Sequence, residues 1–225
     1  MPNVLAVCAI VPAFNEADRI AQTVTAILAL PGVARVVVVD DGSSDVTAEA
    51  AASAGAVVVR QAQNRGKAAA LEAGADACTE PVLLFLDADL GETAHEARVL
   101  LPPVLSGEAD MTIATFPIHP GRGGGAGLVV RLSRWGIHRA TGQTMMAPLS
   151  GQRCLTRAVL GAVRPLAPGF GVETALTMDA LRAGFRLREV STQMDHRVTG
   201  KSWRARLHRA RQFRDVARAL WPRLH

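Results

Sequence analysis

Two aspartates separated by one small residue end a short apolar run, VLLFLDADL at 82–90. Two carboxylates this close repel each other unless a cation lies between them, and a hard divalent ion takes such oxygen ligands readily. Asp87 and Asp89 are therefore candidates to hold a metal against an anionic ligand. The same residues also describe a strand followed by an acidic turn, and the tripeptide alone does not separate the two. Three further stretches carry side chains capable of chemistry. Asp40-Asp41-Gly42-Ser43 closes a valine run, Asn64-Arg65-Gly66-Lys67 precedes an alanine-rich segment, and Pro12-Ala13-Phe14-Asn15-Glu16 follows the first apolar run. A lysine opening a helix adds a mobile charge where exposed amides and the dipole already favour anions. A solvated surface lysine is the plain alternative.

The elements that must position these groups alternate between strand and helix. Strands are expected at 5–11 (LAVCAIV), 35–39, 56–60 and 82–86, with helices at 18–30, 46–54 and 68–78. The valine run is apolar on both faces, as a parallel sheet buried between helix layers requires. Alternation with short turns makes a right-handed, doubly wound sheet the economical topology. Each polar turn then falls at a strand's carboxyl end, where such sheets bind ligands. The second half is less regular. It reads as helices at 92–105, 128–140 and 174–183, strands at 111–115 and 185–190, and an edge strand at 151–155. A glycine-rich loop at 117–127 carries Arg122, and an amphipathic helix at 202–220 closes the chain.

Composition narrows the class. The 225 residues are 49% apolar, enough for a sizeable core, and no apolar run reaches the length of a membrane-spanning helix. No basic stretch precedes the first apolar segment, which reads as a cytoplasmic chain. Cys8, Cys78 and Cys154 are odd in number and sit in apolar or helical contexts, which predicts buried reduced thiols rather than a disulfide or a metal site. The net charge of +5 is unevenly spread: from Arg197 onward nine Lys or Arg face the single acid Asp215, leaving the first 196 residues at −3. No G-x-G-x-x-G follows the first strand and no G-x-x-x-x-G-K-[ST] occurs, which excludes dinucleotide-fold and P-loop readings.

The four ordered stretches, VPAFNEADRI, VVVVDDGSSDVT, NRGKAAALEAGA and LFLDADL, resemble the family 2 glycosyltransferases and their GT-A fold. The likeness continues through PLSGQR at 148–153, GFGVET at 169–174 and HRVTGKSW at 196–203. These later motifs resemble both glucosyl-3-phosphoglycerate synthase-like enzymes and polyprenyl-phosphate sugar transferases of the dolichyl-phosphate mannose synthase type. The resemblance implies one GT-A domain over 1–225: a nucleotide-binding half (1–90), an acceptor-binding half (91–200) and a basic carboxy-terminal helix (201–225). It further implies a transferase that moves a hexose from a nucleoside-diphosphate sugar, with a uridine diphosphate donor favoured.

By that resemblance Pro12, Ala13, Phe14, Glu16, Asp41, Ser43, Lys67, Asp87 and Ala88 line the donor site, with Asp41 at the base edge. Mg²⁺ or Mn²⁺ is implied on Asp89, with Asp87 and His196 completing the site, and Glu173 stands at the family's catalytic carboxylate. The usual pattern there is Glu-Asp, whereas this chain has Glu173-Thr174. A phosphate acceptor, already ionised, would need no strong base. Gly151, Arg153, Arg197 and Lys201 are implied at a small anionic or lipid-phosphate acceptor, with Arg122 closing over it. For each cation a solvated surface position is the alternative.

A sugar-nucleotide hydrolase or nucleotidyltransferase is the rival enzyme class, and a non-catalytic sugar-nucleotide-binding subunit the rival outside enzymes. The tail helix offers two readings: packing on the domain, or contact with the inner face of an anionic membrane. No module supports nucleic-acid binding, and the apolar positions of 128–137 suit a homodimer contact.

Overall fold

The computed structural model describes residues 6–116, 127–194 and 203–224. Its valine-rich runs form β1 (Val7–Ala13), β2 (Val33–Asp40) and β3 (Val57–Arg60), which pair in parallel and are joined by α1 (Ile20–Leu28) and α2 (Thr47–Ser53). Next, α3 (Lys67–Asp76) returns the chain to β4 (Val82–Phe85) on the far side of β1. There follow α4 (Leu101–Leu105), β5 (Met111–Thr115), α5 (Leu128–Thr141) and β6 (Arg153–Thr156). The chain ends with α6 (Arg157–Val163), α7 (Val172–Arg182), β7 (Leu187–Ser191) and α8 (Trp203–Leu220). The seven strands make one sheet in the order β3-β2-β1-β4-β6-β5-β7. Only β6 runs against its neighbours, so the sheet is mostly parallel, as the sequence predicts.

Alternation along the strands fills two cores. On one face Cys8, Ile10, Val37, Val39, Leu83 and Phe85 pack beneath α3, α5, α7 and α8. On the other Val7, Ala9, Val11, Val36, Val38, Leu84 and Leu86 pack beneath α1, α4 and the segment between β4 and α4. Each fully buried Val, Leu or Ile contributes about 1.5–3 kcal/mol, which is why strands apolar on both faces occur only between helix layers.

The structure corrects the reading of the second half. The expected edge strand at 151–155 is β6, which lies inside the sheet between β4 and β5 with Arg153, Cys154 and Leu155 buried; β7 takes the edge. A single helix at 92–105 is replaced by a 3₁₀ segment, Gly91–Leu100, followed by α4. Pro102 and Pro103, lacking amide donors, fit the first turn of a new helix and not the interior of a continuous one. The sequence reading missed α6, whose start is capped by Thr156 Oγ1 accepting from the Val159 amide at 3.3 Å.

The cysteines are a second correction. Cys8 on β1 and Cys78, just past the end of α3, form a disulfide across a separation of 70 residues, and Cys154 remains a buried free thiol. The packing of α3 over β1 brings the two sulfurs together, and spacing in the sequence carries no trace of that. Burial holds the Cys154 thiol far above its ordinary pKa. At the carboxy terminus Val216, Ala219 and Leu220 of α8 are buried, and Arg223 pairs with Asp179 of α7 at 2.6 Å. No helix among the described residues is long and apolar enough to cross a membrane.

Thiol titration of the denatured, unreduced protein is expected to count one reactive cysteine per chain. Opening the pair with Cys8→Ser removes a cross-link whose loop length corresponds to about 4 kcal/mol, so the melting temperature falls. Three free thiols in the parent protein would refute the disulfide.

Candidate active site

The reversal of β6 builds the site. Asp87 and Asp89 follow β4 at the carboxyl edge of the parallel strands, beside the ends of β1 and β2. Because β6 runs antiparallel to β4, with Arg153 opposite Phe85, its amino-terminal end lies at the same edge. The 150–152 turn is thereby laid against Asp87, and Gln152 Nε2 donates to Asp87 Oδ2 at 2.7 Å.

Lys67 sits at the centre. As the first residue of α3, it extends Nζ to Asp87 Oδ1 at 2.6 Å and to Glu173 Oε1 at 3.0 Å. Glu173 belongs to the first turn of α7, so one ammonium joins α3, the end of β4 and α7. Burial pulls the Lys67 ammonium toward its neutral form, but Asp87 and then Glu173 override it and hold the pKa above the ordinary lysine range. The charge is therefore permanent under physiological conditions. Gly151 permits this approach: a Cβ there would lie 2.4 Å from Lys67 Nζ and 3.1 Å from Asp87 Oδ1.

Asp41, the residue expected at the base edge, already makes contacts within the chain. Its two oxygens accept the Arg65 and Gly66 amides at 2.7 and 2.8 Å, which bracket the loop that presents Lys67. Gly42 follows with φ +77°, and a Cβ there would lie 2.8 Å from the backbone carbon of Gln63. Ser43 Oγ accepts the Asn15 amide at 2.9 Å, while Asn15 Oδ1 accepts the Ser44 amide at 2.8 Å. Thr47 Oγ1 takes the Glu16 amide at 2.9 Å, and Asp45 takes the Ala17 and Thr47 amides. These bonds lock the end of β1, with Pro12 and Ala13, and the turn after it, with exposed Phe14 and Glu16, against the turn after β2. Asn15 adopts φ +55°, a conformation that Asn tolerates better than most residues. The Asp-Ala-Asp turn is pinned in the same manner, with buried Thr23 donating to the Ala88 carbonyl and accepting the Gly91 amide, both at 2.8 Å. Arg19 Nη1 holds the Asp89 carbonyl at 3.0 Å.

Two expected acceptor residues separate here. Gly151 lies in the Lys67–Asp87 cluster, but Arg153 is 1% exposed. Its guanidinium donates to the Ser150 and Pro148 carbonyls and to Thr177 Oγ1, ties that fix the 148–153 turn from beneath. Burial lowers the Arg153 pKa to about 10. Gln152, Asn15 and Thr23 were given no role from the sequence; Asn15, inside PAFNEADR, and Gln152, inside PLSGQR, carried a signal of position, and Thr23 carried none. His196, Arg197, Lys201 and Arg122 lie outside the described residues.

The carboxylates at the end of β4 suit a hard divalent ion by donor chemistry. Both Asp87 oxygens are already bonded, to Lys67 and Gln152, so an ion there would share or displace these partners, with Asp89 as the ligand the sequence puts first. Among the described residues, three ion-sized donors also meet at Cys8, Cys78 and Glu80, where the sulfurs are joined to each other.

A mostly parallel sheet with polar turns gathered at one edge, and one reversed strand completing the site, is the GT-A arrangement of nucleotide-sugar transferases. The Glycosyl transferase family 2 profile matches residues 8–156, and the chain belongs to that family. It is 34% identical over 208 residues to glycosyltransferase AglJ of Haloferax volcanii, a match that spans 89% of this chain and 66% of that protein. It is 33% identical over 194 residues to glucosyl-3-phosphoglycerate synthase of Mycolicibacterium paratuberculosis, with 76% and 58% covered. The chain thus spans about three fifths to two thirds of the length of these relatives. Among solved structures, that of Mycobacterium tuberculosis glucosyl-3-phosphoglycerate synthase with Mn²⁺, uridine diphosphate and phosphoglyceric acid superposes with a TM-score of 0.83 at 26% identity. The match covers 98% of this chain and 78% of that one.

Two glycine substitutions are expected to fail in different ways. Gly151→Ala pushes on the far end of a flexible lysine, so the protein folds with a near-parent melting temperature while glycosyltransferase activity falls on the order of 100-fold. Gly42→Ala meets backbone at a positive φ and lowers stability by roughly 1–3 kcal/mol, read from denaturant unfolding. Equal melting losses for both would refute the distinction.

Proposed function

We propose that this protein transfers a hexose from a UDP-sugar to a small acceptor bearing a phosphate or carboxylate, with a divalent ion at Asp89. The observation that carries the reading is the single ammonium of Lys67 held between Asp87 and Glu173 at 2.6 and 3.0 Å. It is supported by relatives whose structures contain Mn²⁺ or Mg²⁺ with uridine diphosphate, UDP-glucose and phosphoglyceric acid.

Lys67 supplies a positive charge at the start of α3, where helix amides favour an anion, and so binds the donor diphosphate. Asp87, with one oxygen fixed by Gln152, orients Lys67 toward the end of β4. When Lys67 turns to the diphosphate, Glu173 loses its counter-charge and becomes available to accept a hydrogen bond, or a proton, from the acceptor hydroxyl. The turns after β1 and β2 form the floor for the nucleoside, with Pro12, Ala13, Phe14, Glu16 and Ser43 nearest and Asp41 supporting them through the Arg65–Gly66 amides. A divalent ion held at Asp89 would supply Lewis-acid stabilisation to the departing diphosphate. Gly151 leaves room beside Lys67.

Calorimetric titration is expected to show UDP binding that requires Mn²⁺ or Mg²⁺ and is lost with EDTA. Lys67→Ala removes a charge-assisted interaction of about 1.5–3 kcal/mol, or roughly 10- to 100-fold in kcat/KM for UDP-glucose. Asp89→Ala abolishes the metal requirement together with turnover. Turnover that survives Asp89→Ala unchanged would sink the metal assignment, and donor breakdown indifferent to every acceptor would replace transfer by hydrolysis.

A further inference from the structure

The basic surface is not confined to the tail. From Met111 to Val172 the chain contains no Asp or Glu but seven arginines, and α5 lies in this stretch. On α5 the buried positions are Ser133, Gly136 and Ile137, while Leu128, Arg131, Arg134, Trp135, His138 and Arg139 are exposed. Spacings of three and four residues make these one stripe along the helix. Trp135 is 55% and Leu128 71% exposed, values unusual for large apolar side chains; Arg131, Arg134 and Arg139 surround Trp135, and Arg131 lies one turn from Leu128.

The described part of α8 repeats the pattern. Val216, Ala219 and Leu220 face the core, and Arg211, Arg214 and Arg218 are exposed at spacings of three and four, followed by Trp221. The one acid of this helix, Asp215, points inward: its Oδ2 accepts the Phe170 amide at 3.4 Å, and its other oxygen pairs with Arg214 at 3.3 Å. α5 and α8 touch directly, since Gly136 has no side chain where Leu220 packs; a Cβ there would lie 2.4 Å from Leu220 Cδ2. Two neighbouring helices on one sheet face therefore both present exposed arginines beside a tryptophan, Trp135 on α5 and Trp221 just past the end of α8.

We propose that the α5–α8 surface docks on an anionic lipid bilayer. Arginine alone would fit any polyanion. The exposed Trp135, Trp221 and Leu128 favour a bilayer, because an aromatic or aliphatic side chain gains by entering the headgroup layer while neighbouring guanidinium groups meet lipid phosphates. Salt dependence follows from the charge term and residual salt-resistant binding from the apolar one. This docking is independent of the acceptor assigned above, since it concerns a different surface.

The test is flotation of the full chain with phosphatidylcholine vesicles and with vesicles containing phosphatidylglycerol, over a range of salt. Binding is expected to be stronger to the anionic vesicles and to weaken, as salt rises, toward the level seen with phosphatidylcholine. With each basic residue near the surface contributing about 1 kcal/mol, Arg131→Gln with Arg218→Gln lowers the partition coefficient roughly 25-fold. Trp135→Ala with Trp221→Ala lowers it at constant charge, the result that a purely electrostatic surface would not give. All four side chains are exposed, so the melting temperature and turnover with a soluble acceptor stay at parent values. Absent vesicle binding, tighter binding to a nucleic-acid duplex than to the anionic vesicles, or a concentration-dependent dimer lost in the tryptophan variant would each overturn the proposal.

Discussion

One ammonium group holds this site together. Lys67, Asp87 and Glu173 come from three elements that are far apart in the chain, and their side chains are at most about a third exposed. A partly desolvated carboxylate pair would repel, and a partly desolvated lysine would be drawn toward its neutral form; together each offsets the other's cost. The consequence is geometric as well as energetic. The start of α3 must face the end of β4, and the start of α7 must approach both. The Asp41 bracket on the Arg65 and Gly66 amides, the Thr23 pin on the Asp-Ala-Asp turn and the buried Arg153 beneath the 148–153 turn each serve this meeting point. None of them is required to touch a ligand. They fix the segments that do.

The same constraint explains why β6 is reversed. A strand parallel to β4 would bring its carboxyl end to the site and carry Gly151 and Gln152 to the opposite edge. Running antiparallel, β6 lets the turn before it reach Asp87 through Gln152, 65 residues away in the chain. It also buries Arg153 one residue further on, where the guanidinium satisfies carbonyls that the turn leaves unpaired. Adjacent residues of one motif thus divide the labour: Gly151 leaves space, Gln152 orients a carboxylate, and Arg153 shapes the loop.

What was legible in the sequence was whatever is encoded locally. The strand runs of the first half, the helix starts at Lys67 and near Glu173, and the Asp-Ala-Asp strand end depend on periodicity and on neighbours within a few residues, and the structure has them within two or three positions. What was not legible depends on contacts across the chain. The position of β6 inside the sheet, the Cys8–Cys78 bond and the inward turn of Arg153 all arise from packing between segments that no spacing rule relates. Asp41 shows a subtler limit. Its residue type and strand-end position suit a base contact and a loop bracket equally well, and only the placement of the Arg65 and Gly66 amides reveals which bonds it makes.

Charge is distributed in a way that local reading also divides wrongly. The tail appears basic and the remainder slightly acidic when the chain is cut at Arg197. In three dimensions the acid-free stretch containing α5 joins α8 through the Gly136–Leu220 contact, so the basic region is a surface and not a terminus. The acids at the site serve the opposite purpose: Asp40, Asp41, Asp45, Asp87 and Glu173 are engaged with amides, Thr or Lys at the sheet's carboxyl edge. Carboxylates gathered around one lysine, and arginines gathered on two adjoining helices, make a molecule polarised between its site and one helical face. The sequence reaches that division of charge through packing alone.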